Sequence, residues 1–132
     1  MKVLIVDGYN VMNKIGYLSD ISDESLKDAR DAVSKLAKEY KRRDGGISEV
    51  YVVFDGKNQY RDVAIPRPKE HIFSDTGKGD QKIVELIRKF SDKHTIIVVS
   101  DDNYVRNSAR AHCASLLRPS QLLTRNYRKT RY

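Results

Sequence analysis

Apolar residues fall along this chain in two rhythms. Short runs rich in valine and isoleucine suit strands buried on both faces, and longer stretches with apolar residues every three or four positions suit helices packed along one side. "KVLIVD" at 2–7, "EVYVVFD" at 49–55 and "HTIIVVSDD" at 94–102 are the strand-like runs. A strong helix is predicted over about 24–43, where Leu26, Ala29, Val33, Leu36, Ala37 and Tyr40 share a face. Asp23 or Ser22 would cap its start, and "DGG" at 44–46 would end it. A second helix is expected over about 80–91, with Ile83, Val84, Ile87 and Phe90 inward, and a third over about 103–114, followed by a short apolar "SLL". Residues 8–23, including the start of "SDISDES", read as a polar loop. Between 57 and 78 the pattern weakens. Short strands are expected near 63–65 and 71–73, Pro66 and Pro68 forbid a regular element between them, and "SDTGKG" reads as a loop. Strands alternating with helices predict an α/β domain over 1–132. Its central sheet would be mostly parallel with helices on both faces, and a basic tail would occupy about 118–132.

That architecture gives meaning to where the strands end. Asp7, Asp55 and Asp101 each stand at the carboxyl end of a predicted strand, Asp102 follows directly, and Asp80 stands where the second helix begins. A parallel sheet delivers such residues to one edge, where open α/β sheets bind ligands. Taken singly, a strand-ending Asp-Gly is more often a turn and a helix-start aspartate more often a cap. Together in one small domain they point to a metal site. Carboxylates gathered at close range repel one another unless a cation intervenes, and Mg²⁺ or Mn²⁺ is the hard, oxygen-seeking ion that suits them. Such an ion activates water and stabilises a leaving oxygen in phosphodiester cleavage. Asp55 is the second-tier member, since "DGKN" is also a good turn.

Composition narrows the partner. The formal net charge is +7 in 132 residues, and five of those charges (Arg118, Arg125, Arg128, Lys129 and Arg131) lie in a tail without an acid. An excess of this kind favours a polyanion, nucleic acid first. "RNYRKTRY" interleaves Tyr127 and Tyr132 with cations, as single-stranded binding prefers, although a tail packed on a partner would look the same. Arg106 and Lys78 are further candidate phosphate contacts, and Tyr9 a candidate stacking residue. The single cysteine, Cys113, rules out an internal disulfide framework and reads as a small buried residue. No run resembles a signal peptide or approaches membrane-spanning length, so a cytoplasmic protein with no membrane partner is expected.

Other motif readings fail on particular residues. A haloacid-dehalogenase-type phosphatase needs a second aspartate where Tyr9 stands. A Toprim site needs a glutamate where Asp7 stands. "TGKGD" lacks the earlier glycine and the hydroxyl residue of a phosphate loop. His71, His94 and His112 have no metal-ligand spacing and read as surface or packing residues.

The blocks "VLIVDGYNVMN", "VYVVFDG", "GKGDQKIVELI" and "IIVVSDDNYVRNSARAHCASLLRPSQL" resemble, in that order, those of the YacP-like NYN-domain proteins, bacterial PIN-like ribonucleases of which some associate with ribosomes. The resemblance implies a Rossmann-like PIN fold and a divalent-metal-dependent endoribonuclease acting at an acidic cluster. Carried over by motif, it makes Asp7 the first-strand ligand, with Asn10 orienting water or phosphate. Asp80 becomes the helix-start ligand, Asp101 the third, and Asp102 an additional catalytic carboxylate. The implied partners are RNA, with the ribosome as one setting, and no small-molecule cofactor. An RNA- or ribosome-binding module of the same fold that does not cleave is the alternative. A small-molecule phosphatase or nucleotide-binding domain would not need the basic tail.

Overall fold

The computed structural model describes residues 1–56 and 69–123. Along the chain run β1 (Lys2–Asp7), α1 (Gly8–Lys14), α2 (Gly16–Glu24), α3 (Leu26–Arg43), β2 (Ile47–Phe54) and β3 (His71–Phe73). Then follow α4 (Gly79–Phe90), β4 (Thr95–Val99), α5 (Asn103–Ala111), β5 (Ser115–Leu117) and a 3-10 turn at Pro119–Leu122. The five strands form one sheet in the order β3-β2-β1-β4-β5, and every pairing is parallel. This is the α/β architecture the alternating pattern predicts.

Strand alternation sorts the core into two layers. Leu4, Val6, Val52, Phe54, Ile97 and Val99 face one way and pack with Val11, Leu18, Val33 and Leu36 from α1–α3. Val3, Ile5, Val53, Ile96 and Val98 face the other way and pack with Ile83, Ile87, Val105 and Ala109 from α4 and α5. β1 is central, and Val3 to Val6 are fully buried because helices cover both of its faces.

Several expectations change. Residues 8–23 form α1 and α2 rather than a loop. Val11, Met12, Ile15 and Leu18 are buried at helical spacing, but the pattern spans a break at Ile15, whose backbone is extended, and dense polar residues hide it. Ser22 and Asp23 consequently lie inside α2, and Ser25 caps α3 by accepting from the Asp28 N–H at 3.2 Å. α3 buries Ala29, Val33, Leu36 and Ala37 as expected, yet Leu26 is 43 % exposed while Arg30 and Ser34 are buried.

α5 stops at Ala111, three residues short of expectation. Cys113 takes the left-handed conformation (φ 58°). The Ala114 and Cys113 N–H groups then reach back to the Ala109 and Arg110 carbonyls at 2.9 and 3.0 Å, closing the helix in a Schellman motif. Cys113 is therefore exposed, not buried. His71 is fully buried against the Phe54 and Phe73 rings, in keeping with a packing role. The expected strand at 63–65 lies outside the described residues, whereas β3 falls where a strand at 71–73 was expected.

Gly8, between β1 and α1, shows how tightly the strand end is packed. A Cβ there would collide with the Phe54 ring and lie 2.9 Å from the Val53 carbonyl oxygen. Gly16, at the start of α2, has open space around it. Gly8→Ala should lower stability by about 1–3 kcal/mol through overpacking. Gly16→Ala should be neutral or stabilising by up to about 1 kcal/mol. Urea midpoints of the two variants, at unchanged m-value, check the contrast.

Candidate active site

β1 leads to β2 and β3 on one side, and β4 and β5 lie on its other side, so the order of strands reverses between β1 and β4. A crevice opens at such a point outside the carboxyl ends of the strands. Val6 pairs with Val99, so the next residues along, Asp7 and Ser100, face each other across this switch point. The Ser100 hydroxyl donates to Asp7 Oδ2 at 2.8 Å and accepts from the Asp102 N–H at 3.0 Å. Ser100 is completely buried. It thus ties the end of β1 to the turn that opens α5, a role the sequence reading missed. Its only sequence signal is a hydroxyl residue between "VV" and "DD", which is common.

The turn reading of Asp7-Gly8 does not hold. β1 passes directly into α1, and Asp7 sits at the junction with no side-chain bond to cap the helix. Its carboxyl group is pushed up to about 6. Burial is the largest cause; the Ser100 hydrogen bond opposes it, and the carboxylates of Asp80 and Asp102 add to it. Asp80 is not the cap of α4 either: Lys78 holds that position, and Asp80 lies in the helix's first turn. Its pKa is also raised, by burial and then by Asp102 and Asp55. The approach of α4 depends on Gly79, where a Cβ would lie 3.0 Å from that of Asp55.

Asp102 and Asp101 play different parts. Asp102 caps α5, its Oδ1 accepting from the Val105 N–H at 3.0 Å, while its charge acts on both Asp7 and Asp80. Asp101 turns elsewhere: its Oδ1 pairs with Arg118 at 2.8 Å, and its N–H donates to Asn10 Oδ1 at 2.9 Å. The electrostatic cluster is accordingly Asp7, Asp80 and Asp102. Asp101 stands beside it, held by a cation. Asp55 Oδ1 accepts from the Gly77 N–H at 2.7 Å, which fixes the loop before α4.

The expected phosphate contacts divide. Arg106 donates to the Ser100 carbonyl at 2.9 Å, and its guanidinium is destabilised by burial, then by Arg118 and Arg110 nearby. Arg106, Arg110 and Arg118 thus lie close together. Lys78 is exposed and lines a cleft of about 510 Å³ beside α4. Tyr9 packs its ring 5.1 Å from that of Phe54, and its hydroxyl accepts from Arg30 at 3.5 Å. Arg125, Arg128 and Lys129 lie outside the described residues. Among the described residues no three His, Cys, Asp or Glu side chains are grouped so as to hold a metal ion, and no helix is long and apolar enough to cross a membrane.

The fold is that of a PIN-like, nuclease-type domain. A crystal structure of a point variant of Rae1 (YacP) from Bacillus subtilis matches 99% of this chain and 78% of its own, with a TM-score of 0.75 and 26% identity. A crystal structure titled simply Rae1 (YacP), from the same organism, matches 99% and 80% with a TM-score of 0.69 at 23% identity, a likeness of fold. The family model for the YacP-like NYN domain matches residues 4–131, and the chain belongs to that family. It is also 28% identical over 112 residues to the Bacillus subtilis (strain 168) protein named "Uncharacterized protein YacP". That match covers 83% of this chain, which spans 65% of the length of that relative.

The raised pKa of Asp7 has a consequence for stability without added metal. The folded protein holds this proton more tightly than the unfolded chain, whose aspartate titrates near 3.8. The contribution is fully present below about pH 4 and is lost as pH rises through about 6, on the order of 2–3 kcal/mol. Asp7→Asn removes that loss, so in metal-free buffer it should melt above the unaltered protein at pH 8. The gap should close toward pH 4, as read by thermal unfolding across the pH range.

Proposed function

We propose that this domain is a divalent-metal-dependent endoribonuclease that cuts RNA phosphodiester bonds at the crevice between β1 and β4. The observation that carries the reading is the half-buried trio Asp7, Asp80 and Asp102, in which the charge of Asp102 raises the pKa of the other two and Asp80 adds to that of Asp7. Hard carboxylate oxygens of this kind fit Mg²⁺ or Mn²⁺. Mg²⁺ keeps several of its waters and takes only one or two carboxylates from a protein. When bound, the ion would supply an activated water and charge stabilisation at the leaving oxygen.

In this reading Asp7, Asp80 and Asp102 hold the ion, and Ser100 orients Asp7. Asn10, fixed by the Asp101 N–H, presents its amide nitrogen to water or phosphate. Asp101, the third ligand implied by resemblance, acts through Arg118, which it holds beside the cluster. Arg106, Arg118 and Lys78 neutralise RNA phosphates, as do Arg125, Arg128 and Lys129, and Tyr9 walls the site. The family resemblance extends the substrate to RNA presented on the ribosome, in a cytoplasmic setting.

An RNA cleavage assay with Mg²⁺ or Mn²⁺ tests this. Asp7→Asn, Asp80→Asn and Asp102→Asn should each slow cutting by on the order of 10²-fold or more, the scale of removing one group that stabilises developing charge. Asp101→Asn breaks only a partly exposed ion pair and should cost about tenfold or less. Undiminished cutting in all four variants would overturn the assignment. Uncut RNA that still binds, more weakly as salt rises, would make the domain a non-cleaving RNA-binding module.

A further inference from the structure

A second charged feature lies away from the carboxylates. Two adjoining clefts, of about 570 and 430 Å³, run between the carboxyl half of α3, the amino half of β2 and the residues entering β3. β3 pairs only with Val52, Val53 and Phe54, so β2 extends past it and floors the larger cleft. Five cations line the pair: Lys35, Lys38, Lys41, Arg42 and Lys69.

The acids in these clefts are already engaged. Glu70 is buried and accepts from Ser34 at 2.6 Å and Lys38 at 2.9 Å. Glu49 accepts from the Tyr51 hydroxyl at 2.5 Å, and Asp31 pairs with Lys27 at 3.1 Å. Among the described residues, Lys35, Lys41, Arg42 and Lys69 have no ion pair. A helix C-terminus attracts cations to its last turn, but Arg43 meets that need and ties α3 to the Leu122 carbonyl at 3.1 Å. Lys69 comes from a different element and Lys35 from two turns earlier, so the helix end does not explain the group.

We propose that this ridge is a second contact for the RNA phosphate backbone, taking the strand that leaves the carboxylate crevice. α3 links the two places. Arg30, near its start, donates to the hydroxyl of Tyr9, two residues after Asp7. Lys35 follows about 7.5 Å further along the axis and Arg42 about 10 Å beyond that, at 1.5 Å per residue. On β2 the larger cleft lies about 16 Å from the strand's carboxyl end, at about 3.3 Å per residue. Short RNA bound at the crevice would not reach it; longer RNA would. The inference rests on RNA as the ligand, but not on cleavage.

The test measures binding by fluorescence anisotropy over a salt series, in EDTA. It compares the unaltered protein with the triple variant Lys35→Ala, Arg42→Ala and Lys69→Ala. A control triple, Arg88→Ala, Lys89→Ala and Lys93→Ala, removes equal charge from α4 and the turn after it. The probes are an unstructured RNA of about 30 nucleotides, a hexamer and a hairpin. The ridge variant should lower the salt slope for the long strand by about 2, near 0.7 per lost phosphate contact, and leave the hexamer unchanged. A loss confined to the hairpin would overturn the proposal by assigning the ridge to a separate, structured RNA. Unchanged slopes for both, or an equal loss in the control, would overturn the proposal. So would unchanged RNA slopes with weakened binding of polyglutamate, which would mark an acidic protein as the occupant. A ridge-dependent slope without cleavage leaves this inference standing and removes the nuclease reading; intact cleavage with an unchanged slope does the reverse.

Discussion

The short link between Asp7 and Ser100 depends on where β1 sits. As the central strand, β1 pairs in parallel with β2 and with β4, and both its faces are covered by helices. Its apolar residues must therefore be fully dry, and its last residue emerges where the order of strands reverses. A carboxylate at that position is pulled out of water by its surroundings and held by a buried hydroxyl from the neighbouring strand. The same geometry brings α5 and its capping Asp102 to the spot, since only three residues separate β4 from α5.

α4 completes the arrangement by a different route. Its first turn comes against the end of β2 because Gly79 has no side chain to keep Asp55 away. Asp55 in turn holds the preceding loop through the Gly77 N–H. Asp55 thus shapes the approach of Asp80 and adds to its electrostatic burden. Two small residues, Gly8 and Gly79, set how closely the helices approach the strand ends, and that closeness raises the carboxylates' protonation. Such raised pKa values are common at functional sites, where charge is concentrated for a ligand to neutralise.

Cations are sorted by the same logic of satisfied and unsatisfied partners. Arg118 is drawn to Asp101, and Arg106 to the Ser100 carbonyl, which leaves a positive rim beside a negative centre. On the far side, buried Glu70 is consumed by Ser34 and Lys38, so among the described residues Lys35, Lys41, Arg42 and Lys69 have no acid of their own.

Periodicity alone determined most of the scaffold: β1, the strand cores of β2 and β4, β3, α4 and much of α3, because burial on one or both faces leaves a direct trace in residue order. It also placed Asp7 and Asp80 at element ends, and the four sequence blocks pointed to the family. It did not determine α1 and α2, whose apolar positions span a break, nor the end of α5, where Cys113 takes a conformation usually left to glycine. Only the tertiary structure gives Asp101 and Asp102 their different partners, Arg118 for the first and the start of α5 for the second. Adjacent residues leave a strand in different directions, and which one meets Asp7 and Asp80 depends on the Ser100 bond and on Arg118, eighteen residues after Ser100. Such partners are set by how the sheet closes, and neighbouring residues in the sequence contain no record of it.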